Sequence, residues 1–175
     1  LLALQILFMN LITDDLPAIT LGFNPPSRDI MITKPRKKSN ILNKQLIKLL
    51  VAAGMIMGIA TLGMFYFALN VLKQDLATAR TLALVTLISF EIANAFNFRS
   101  FRYPAHKLPL FANKYLIYAS VVSILATLLI IYTSLNKIFE TVPICWYYFI
   151  AAILISLLII FVFDIWKVLK GDLAN

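Results

Sequence analysis

The sequence predicts an all-α integral membrane protein, a bundle of five transmembrane helices. Hydrophobic residues make up 61% of its 175 residues and charged residues 14%, whereas about a quarter of a soluble domain is charged. Five apolar runs are each long enough to cross about 30 Å of hydrocarbon as a helix. Basic residues cluster in alternate connecting segments, and this asymmetry sets the orientation of the helices.

The spans are predicted at about residues 1–21, 45–69, 81–98, 115–135 and 144–168. Loop 22–44 together with Lys48 carries seven basic residues, loop 99–114 carries four and the C-terminal segment carries two, so 13 of the 16 fall on one side. Because positive loops stay in the cytoplasm, both loops and the C-terminus are predicted to be cytoplasmic.

The first span carries charge at a depth where charge is costly. Asp14 and Asp15 are adjacent carboxylates inside an apolar run, and an acid in hydrocarbon costs at least about 2.5 kcal/mol. In a helix, Asn10, Thr13, Asp14 and Pro17 share one face. An intramembrane acid among other oxygen groups therefore indicates a functional site.

Pro17 interrupts this helix. It has no N–H to offer the carbonyl of Thr13, so the span is predicted to be kinked or unwound near its middle. A freed carbonyl beside an amide, a hydroxyl and a carboxylate makes an all-oxygen site, which suits Ca²⁺ better than softer metals. The alternative is a proline-kinked helix in which Asp14 or Asp15 is protonated or paired with a base.

A second acid lies at the same predicted depth. Asp14 precedes the end of its span by seven residues, and Glu91 precedes the end of the third span at Phe98 by seven. Both spans run in the same direction, so each acid lies about 10 Å from the cytoplasmic helix end. A polar site shared by two helices is expected, with Asn94 and Asn97 making interhelical hydrogen bonds nearby.

Other polar and small residues in the spans are predicted to have structural roles. Gly54 and Gly58 form a GxxxG pattern followed by Gly63, which predicts close packing of the second span against another helix. Asp164 and Lys167 are three residues apart and predict an ion pair.

Two residue types occur once each. The single cysteine, Cys145, excludes an intrachain disulfide and a zinc cluster. The single histidine, His106, lies in a basic loop and is interpreted as an interfacial residue.

Several functions are excluded or disfavoured. The net charge of +8 resides in short loops between apolar runs, so it reflects membrane topology rather than nucleic-acid binding. No phosphate-binding loop of the GxxxxGK[ST] type occurs. No catalytic residue is therefore assigned. The sequence opens on Leu1 within an apolar run, and a fragment of a longer chain is expected.

Two stretches resemble a known family. The run NLITDDLPAITLGFNPPSRDIM is similar to the sixth membrane helix and adjoining loop of P-type cation-transporting ATPases, especially sarco/endoplasmic reticulum-type calcium pumps. The run ISFEIANAFNFRS is similar to their eighth helix. The resemblance covers essentially all 175 residues and implies one C-terminal membrane domain, residues 1–175, comprising helices six to ten.

The resemblance implies a role for each polar residue of the two spans. Asn10 corresponds to a ligand of one calcium ion and Asp14 to a carboxylate that bridges two. Thr13 and Glu91 correspond to groups that serve the other ion. Together they imply a pump with two calcium sites.

The sequence departs from the family pattern at two positions. Asp15 stands where the calcium pumps usually have glycine, so it is a possible further ligand, a proton carrier or a partner for a basic neighbour. Ser27 stands where they often have an acid. The arginine-rich loop RSFRYP is more similar to prokaryotic members, which favours a multi-pass protein of a prokaryotic cell membrane.

The resemblance also implies partners outside these residues. ATP, Mg²⁺, the phosphorylated aspartate and the remaining cation ligands would belong to the upstream half of the same pump, and the lipid bilayer surrounds the domain. No ATP hydrolysis is expected from these residues alone. The alternatives are a P-type pump for another cation, Na⁺ or H⁺, and a standalone membrane scaffold without catalysis.

Overall fold

The computed structural model describes residues 1–26, 44–100 and 103–170, and within these ranges the regular structure is entirely helical. The helices are α1 (Ala3–Phe8), a π-helical turn (Met9–Asp14), α2 (Asp15–Leu21), α3 (Lys44–Asn70), α4 (Leu76–Asn97), α5 (Lys114–Tyr132), α6 (Asn136–Phe139) and α7 (Trp146–Lys170). Two short 3₁₀ helices, Ala105–Lys107 and Leu110–Ala112, lie between α4 and α5.

Five stretches of this chain are long and apolar enough to cross a membrane, which confirms the predicted class. They are Ala3–Leu21, Leu46–Asn70, Leu76–Asn97, Lys114–Tyr132 and Trp146–Val168. The largest difference from the prediction is the start of the third span, which lies at Leu76 rather than near residue 81. Asp75 caps this helix by accepting hydrogen bonds from the backbone N–H groups of Ala77 and Thr78.

The first span is interrupted in its middle. The backbone winds as α1, widens into the π-helical turn over Met9–Asp14, and resumes as α2. Pro17 lies in the first turn of α2, where a missing N–H costs little. The interruption therefore precedes the proline and is a widened helical turn rather than non-helical backbone.

The third span is the centre of the bundle. Helix α4 packs against α3, α5, α7 and the π-helical turn. Its buried side chains include Leu82, Leu84 and Val85. The helix that carries Glu91 is consequently the most enclosed of the five.

The GxxxG pattern has no neighbour within the described residues. A Cβ placed on Gly54, Gly58 or Gly63 meets no atom within 4 Å. Helix α3 instead packs through another face, which carries Leu49 and Ala53. The predicted close packing of this face is therefore absent from the described part of the chain.

Asp164 and Lys167 lie close enough to interact electrostatically, as predicted, but each makes its direct contacts with another group. Asp164 accepts hydrogen bonds from the backbone N–H groups of Ala105 and His106, and its Oδ2 lies 2.7 Å from His106 Nδ1. Lys167, which is 3% exposed, donates to the carbonyl oxygen of Asn97 at 2.7 Å. The two residues fasten α7 to the loop and to the end of α4.

Asn94 also makes an interhelical contact, as predicted, with Met57 of α3. Most of the predicted cytoplasmic loop 22–44, including Ser27, lies outside the described residues, as do residues 101–102 of loop 99–114.

Candidate cation-binding site

A hydrogen bond joins the π-helical turn to the third span. The hydroxyl of Thr13 donates to Glu91 Oε2 at 2.8 Å, and Thr13 is fully buried. The same hydroxyl lies 2.9 Å from the carbonyl oxygen of Met9. Since a hydroxyl has one proton, it donates to one of these acceptors at a time. The two predicted site elements are thus in direct contact.

The other predicted residues lie on the open side of the turn. Asn10, Asp14 and Asp15 are exposed, whereas Glu91 is half-buried. Among the described residues, these groups therefore form one wall of a candidate site whose other side is open.

The backbone carbonyls of the turn have unusual partners. In the π pattern, the N–H of Asp15 donates to the carbonyl of Asn10, five residues earlier. In the same i→i+5 pattern, the carbonyl of Ile12 would accept a hydrogen bond from the N–H of residue 17, but Pro17 has no N–H. The hydroxyl of Ser123, from α5, lies 3.2 Å from the Ile12 carbonyl oxygen and donates to it. A neighbouring helix thus supplies a donor to the turn.

The N-terminal end of the first span is held by Gln5, whose side chain is fully buried. Its Nε2 donates to the carbonyl oxygen of Phe139 at 2.9 Å, and its Oε1 accepts from the N–H of Leu2 at 3.1 Å. The rings of Phe8 and Phe139 meet edge to face with centroids 5.5 Å apart. These contacts tie α1 to the segment after α5.

The C-terminal end of the first span is held by two side-chain amides. Asn24 donates to the carbonyl oxygen of Arg99 at 2.9 Å, and Asn113 donates to that of Thr20 at 2.8 Å. The guanidinium of Arg99 donates to the carbonyl oxygen of Pro109. Burial lowers the pKa of Arg99 from its ordinary value, but an arginine stays charged at neutral pH.

The donor set is entirely oxygen. An amide, a hydroxyl and carboxylates are the groups that hard cations such as Ca²⁺ prefer, and Ca²⁺ takes six to eight of them. Within the described ranges, no three His, Cys, Asp or Glu side chains converge on one point. This wall of the site therefore offers part of a coordination sphere.

Residues 1–169 match the family described as "Cation transporting ATPase, C-terminus". The chain belongs to this family.

Curated members of the cation-transporting ATPases are similar over most of this chain. A calcium-transporting ATPase of Bacillus subtilis is 38% identical over 82% of the chain, and one of Plasmodium falciparum is 32% identical over 82%. A type 2C calcium-transporting ATPase of Rattus norvegicus is 34% identical over 79%. The matched residues are only 15–16% of the length of these proteins.

The sequence did not single out three buried polar residues that anchor the first span of this cation-transporting ATPase domain to other elements. Gln5, Asn113 and Ser123 each bond to a backbone carbonyl of another element. Asn113 carried a usable signal, since its Oδ1 accepts from the N–H of Leu116 and caps α5. Ser123 resembles other serines in apolar helices, so spacing alone could not distinguish it.

Proposed function

We propose that this chain is the cation-binding membrane part of an ATP-driven calcium pump. The observation that carries the proposal is the hydrogen bond between Thr13 and Glu91, which joins the two acid-bearing spans. Asn10, Thr13, Asp14 and Glu91 are the proposed ligands, with Asp15 as a possible addition. Ca²⁺ is the transported ion rather than a resident cofactor.

Two considerations support calcium. The matched relatives from Bacillus, Plasmodium and rat are all named calcium-transporting ATPases. The all-oxygen donor set, with carboxylates on two helices, also suits Ca²⁺.

The upstream half of the same pump would supply the remaining ligands and the site that uses ATP and Mg²⁺. Phosphorylation of an aspartate there would change the affinity of the π-helical turn for the ion, in an alternating-access cycle.

Asp14→Asn in the full-length pump tests the assignment. The substitution removes a charge from the proposed site and should abolish calcium-dependent phosphorylation by ATP. Phosphorylation by inorganic phosphate, which needs no calcium, should remain and serves as the control for folding. Calcium-dependent phosphorylation that persists in this variant would exclude Asp14 as a ligand.

A second candidate is a pump for Na⁺ or H⁺, and Asp15 is the residue that favours it. Its carboxylate is exposed and adjacent to Asp14 on the open side of the turn. An added acid can change ion selectivity or carry a proton. If this candidate is correct, Asp15→Gly should change which ion is required or how many ions are transported. If the protein is a calcium pump in which Asp15 has only a structural role, both should stay unchanged.

The proposed location is the cell membrane of a prokaryote. The chain is an integral membrane protein by its five apolar helices, and the loop RSFRYP is the feature that favours a prokaryotic origin. Fractionation of the source organism, with detection of the protein in cell membranes, tests this.

A further inference from the structure

We propose that Ser123 of the fourth span and Asn113, which caps the start of that span, are positioning residues for the cation site. Neither is a proposed ligand. Each binds a backbone carbonyl of the segment that carries Thr13 and Asp14, so together they fix where those ligands lie relative to Glu91. The inference rests on the proposed function and extends it to a helix that contributes no ligand.

Ser123 acts at the turn itself. It is fully buried, and its hydroxyl donates to the carbonyl of Ile12, the residue immediately before Thr13. In the i→i+5 pattern of the turn, that carbonyl has no N–H to meet because residue 17 is proline. The Ser123 hydroxyl supplies a donor from α5 to this carbonyl, at the point where the π-helical turn gives way to α2.

Asn113 acts at the C-terminal end of the first span, at the end of α2. It is 1% exposed, its Nδ2 donates to the carbonyl of Thr20 at 2.8 Å, and its Oδ1 caps α5. One side chain thus fixes both the start of α5 and the end of α2. Because Asn113 caps α5 and Ser123 lies within it, the two contacts hold the first span against α5 at two positions along its length.

The consequence is an effect on affinity. Ca²⁺ requires its oxygens at about 2.3–2.6 Å, so small displacements of Thr13 or Asp14 weaken binding. An interhelical hydrogen bond in a membrane is worth enough to change an equilibrium by about threefold to tenfold. We expect loss of the Ser123 hydroxyl to raise the calcium concentration for half-maximal phosphorylation by that factor.

The chain offers a matched control. Ser120 is also buried on α5, but its hydroxyl donates to the carbonyl of Leu116 within its own helix. Calcium titration of phosphorylation by ATP compares Ser123→Ala with Ser120→Ala in the full-length pump. Phosphorylation by inorganic phosphate is measured beside it as a readout of folded enzyme. A shift confined to Ser123→Ala, at equal phosphorylation by inorganic phosphate, supports the proposal.

No shift, or equal shifts in both serine variants, overturns the proposal for Ser123. If Ser123→Ala loses phosphorylation by inorganic phosphate, Asn113→Ser decides, because serine still caps α5 but is too short to reach Thr20. An unchanged calcium requirement in that variant overturns the proposal.

The wild-type titration tests the proposed function separately. If wild-type phosphorylation ignores calcium and responds to Na⁺ or pH, the calcium assignment fails. The same variants are then titrated with that ion.

Discussion

Thr13 and Glu91 are 78 positions apart in the chain, and their side-chain oxygens lie 2.8 Å apart. The contact crosses from the π-helical turn of the first span to the centre of the third. It places a proposed ligand of one helix against a proposed ligand of another. A contact made within the fold lowers the cost of bringing these two groups together at one ion.

Thr13→Ala should weaken cation binding. The substitution removes both a proposed ligand and the hydrogen bond to Glu91, and such a hydrogen bond alone is worth about 0.5–1.5 kcal/mol. We expect the half-maximal cation concentration for phosphorylation to rise by about tenfold or more. Thr86→Ala is the control, since Thr86 is buried in α4 and its hydroxyl donates to Leu82 within the same helix. Equal effects of the two variants would contradict the prediction.

Gln5→Leu should destabilise the domain. The carbonyl of Phe139 loses its buried amide donor, and a stranded buried group costs about 1–3 kcal/mol. Thermal unfolding of the detergent-solubilised protein should shift to lower temperature. Gln74→Leu serves for comparison, because the side chain of Gln74 donates to the nearby carbonyl of Leu72. A transition of Gln5→Leu no lower than that of Gln74→Leu would show that the contact contributes nothing.

Asp75→Ala should have a pH-dependent effect. The hydroxyl of Thr78 donates to Asp75 and, with two backbone N–H groups, holds the pKa of this carboxyl below its usual range. Since the folded pKa is the lower one, the stabilisation is present above the unfolded pKa of about 3.9. It is lost as the pH falls through the folded value.

The difference in unfolding temperature between wild type and Asp75→Ala should therefore be full at neutral pH and shrink below about pH 4. Glu140→Gln, which removes another exposed acid, controls for the loss of charge alone. A difference that stays constant as the pH is lowered through this range would argue against the cap as its cause.

Lys167→Met should loosen the end of the bundle where α7 meets the end of α4. The ammonium of Lys167 donates to the carbonyl and to the side-chain oxygen of Asn97, and the carbonyl lies at the end of α4, where a positive charge is favourable. Loss of these bonds should cost about 1–3 kcal/mol, measurable as a lower unfolding temperature. Lys114→Met, at an exposed lysine, should change it little. Equal unfolding temperatures for the two variants would refute the role of Lys167.

The fold could be predicted from the sequence where hydropathy alone decides it. The number and order of spans depend on runs of apolar residues, which hydropathy measures directly. The predicted start of the third span, near residue 81, is too late because the charge of Arg80 ends the apolar run. The helix begins at Leu76, after the cap at Asp75, and Arg80 lies within it. Such a boundary depends on one side chain rather than on an average over many.

The polar contacts were predicted less completely. Asp164 and Lys167 have the spacing of an ion pair within one helix and interact electrostatically, but their direct partners come from the loop and from α4. The depth of Glu91 could be inferred from its distance to a helix end, and the contact with Thr13 agrees with that depth. The roles of Gln5 and Ser123 could not be inferred in this way, because their partners are backbone carbonyls, which every residue has.

The pinned ends of the first span limit how it can move. A π-helical turn holds an extra residue, and its conversion to regular α-helix rotates α2 by about 100° relative to α1. Gln5 holds one end and Asn113 the other, so neither end is free to adopt such a rotation. Any twist must be absorbed within Met9–Asp14. Movement there would reorient Asn10 and Asp14 while both ends of the span stay in place, so a change at the ligands need not displace the rest of the bundle.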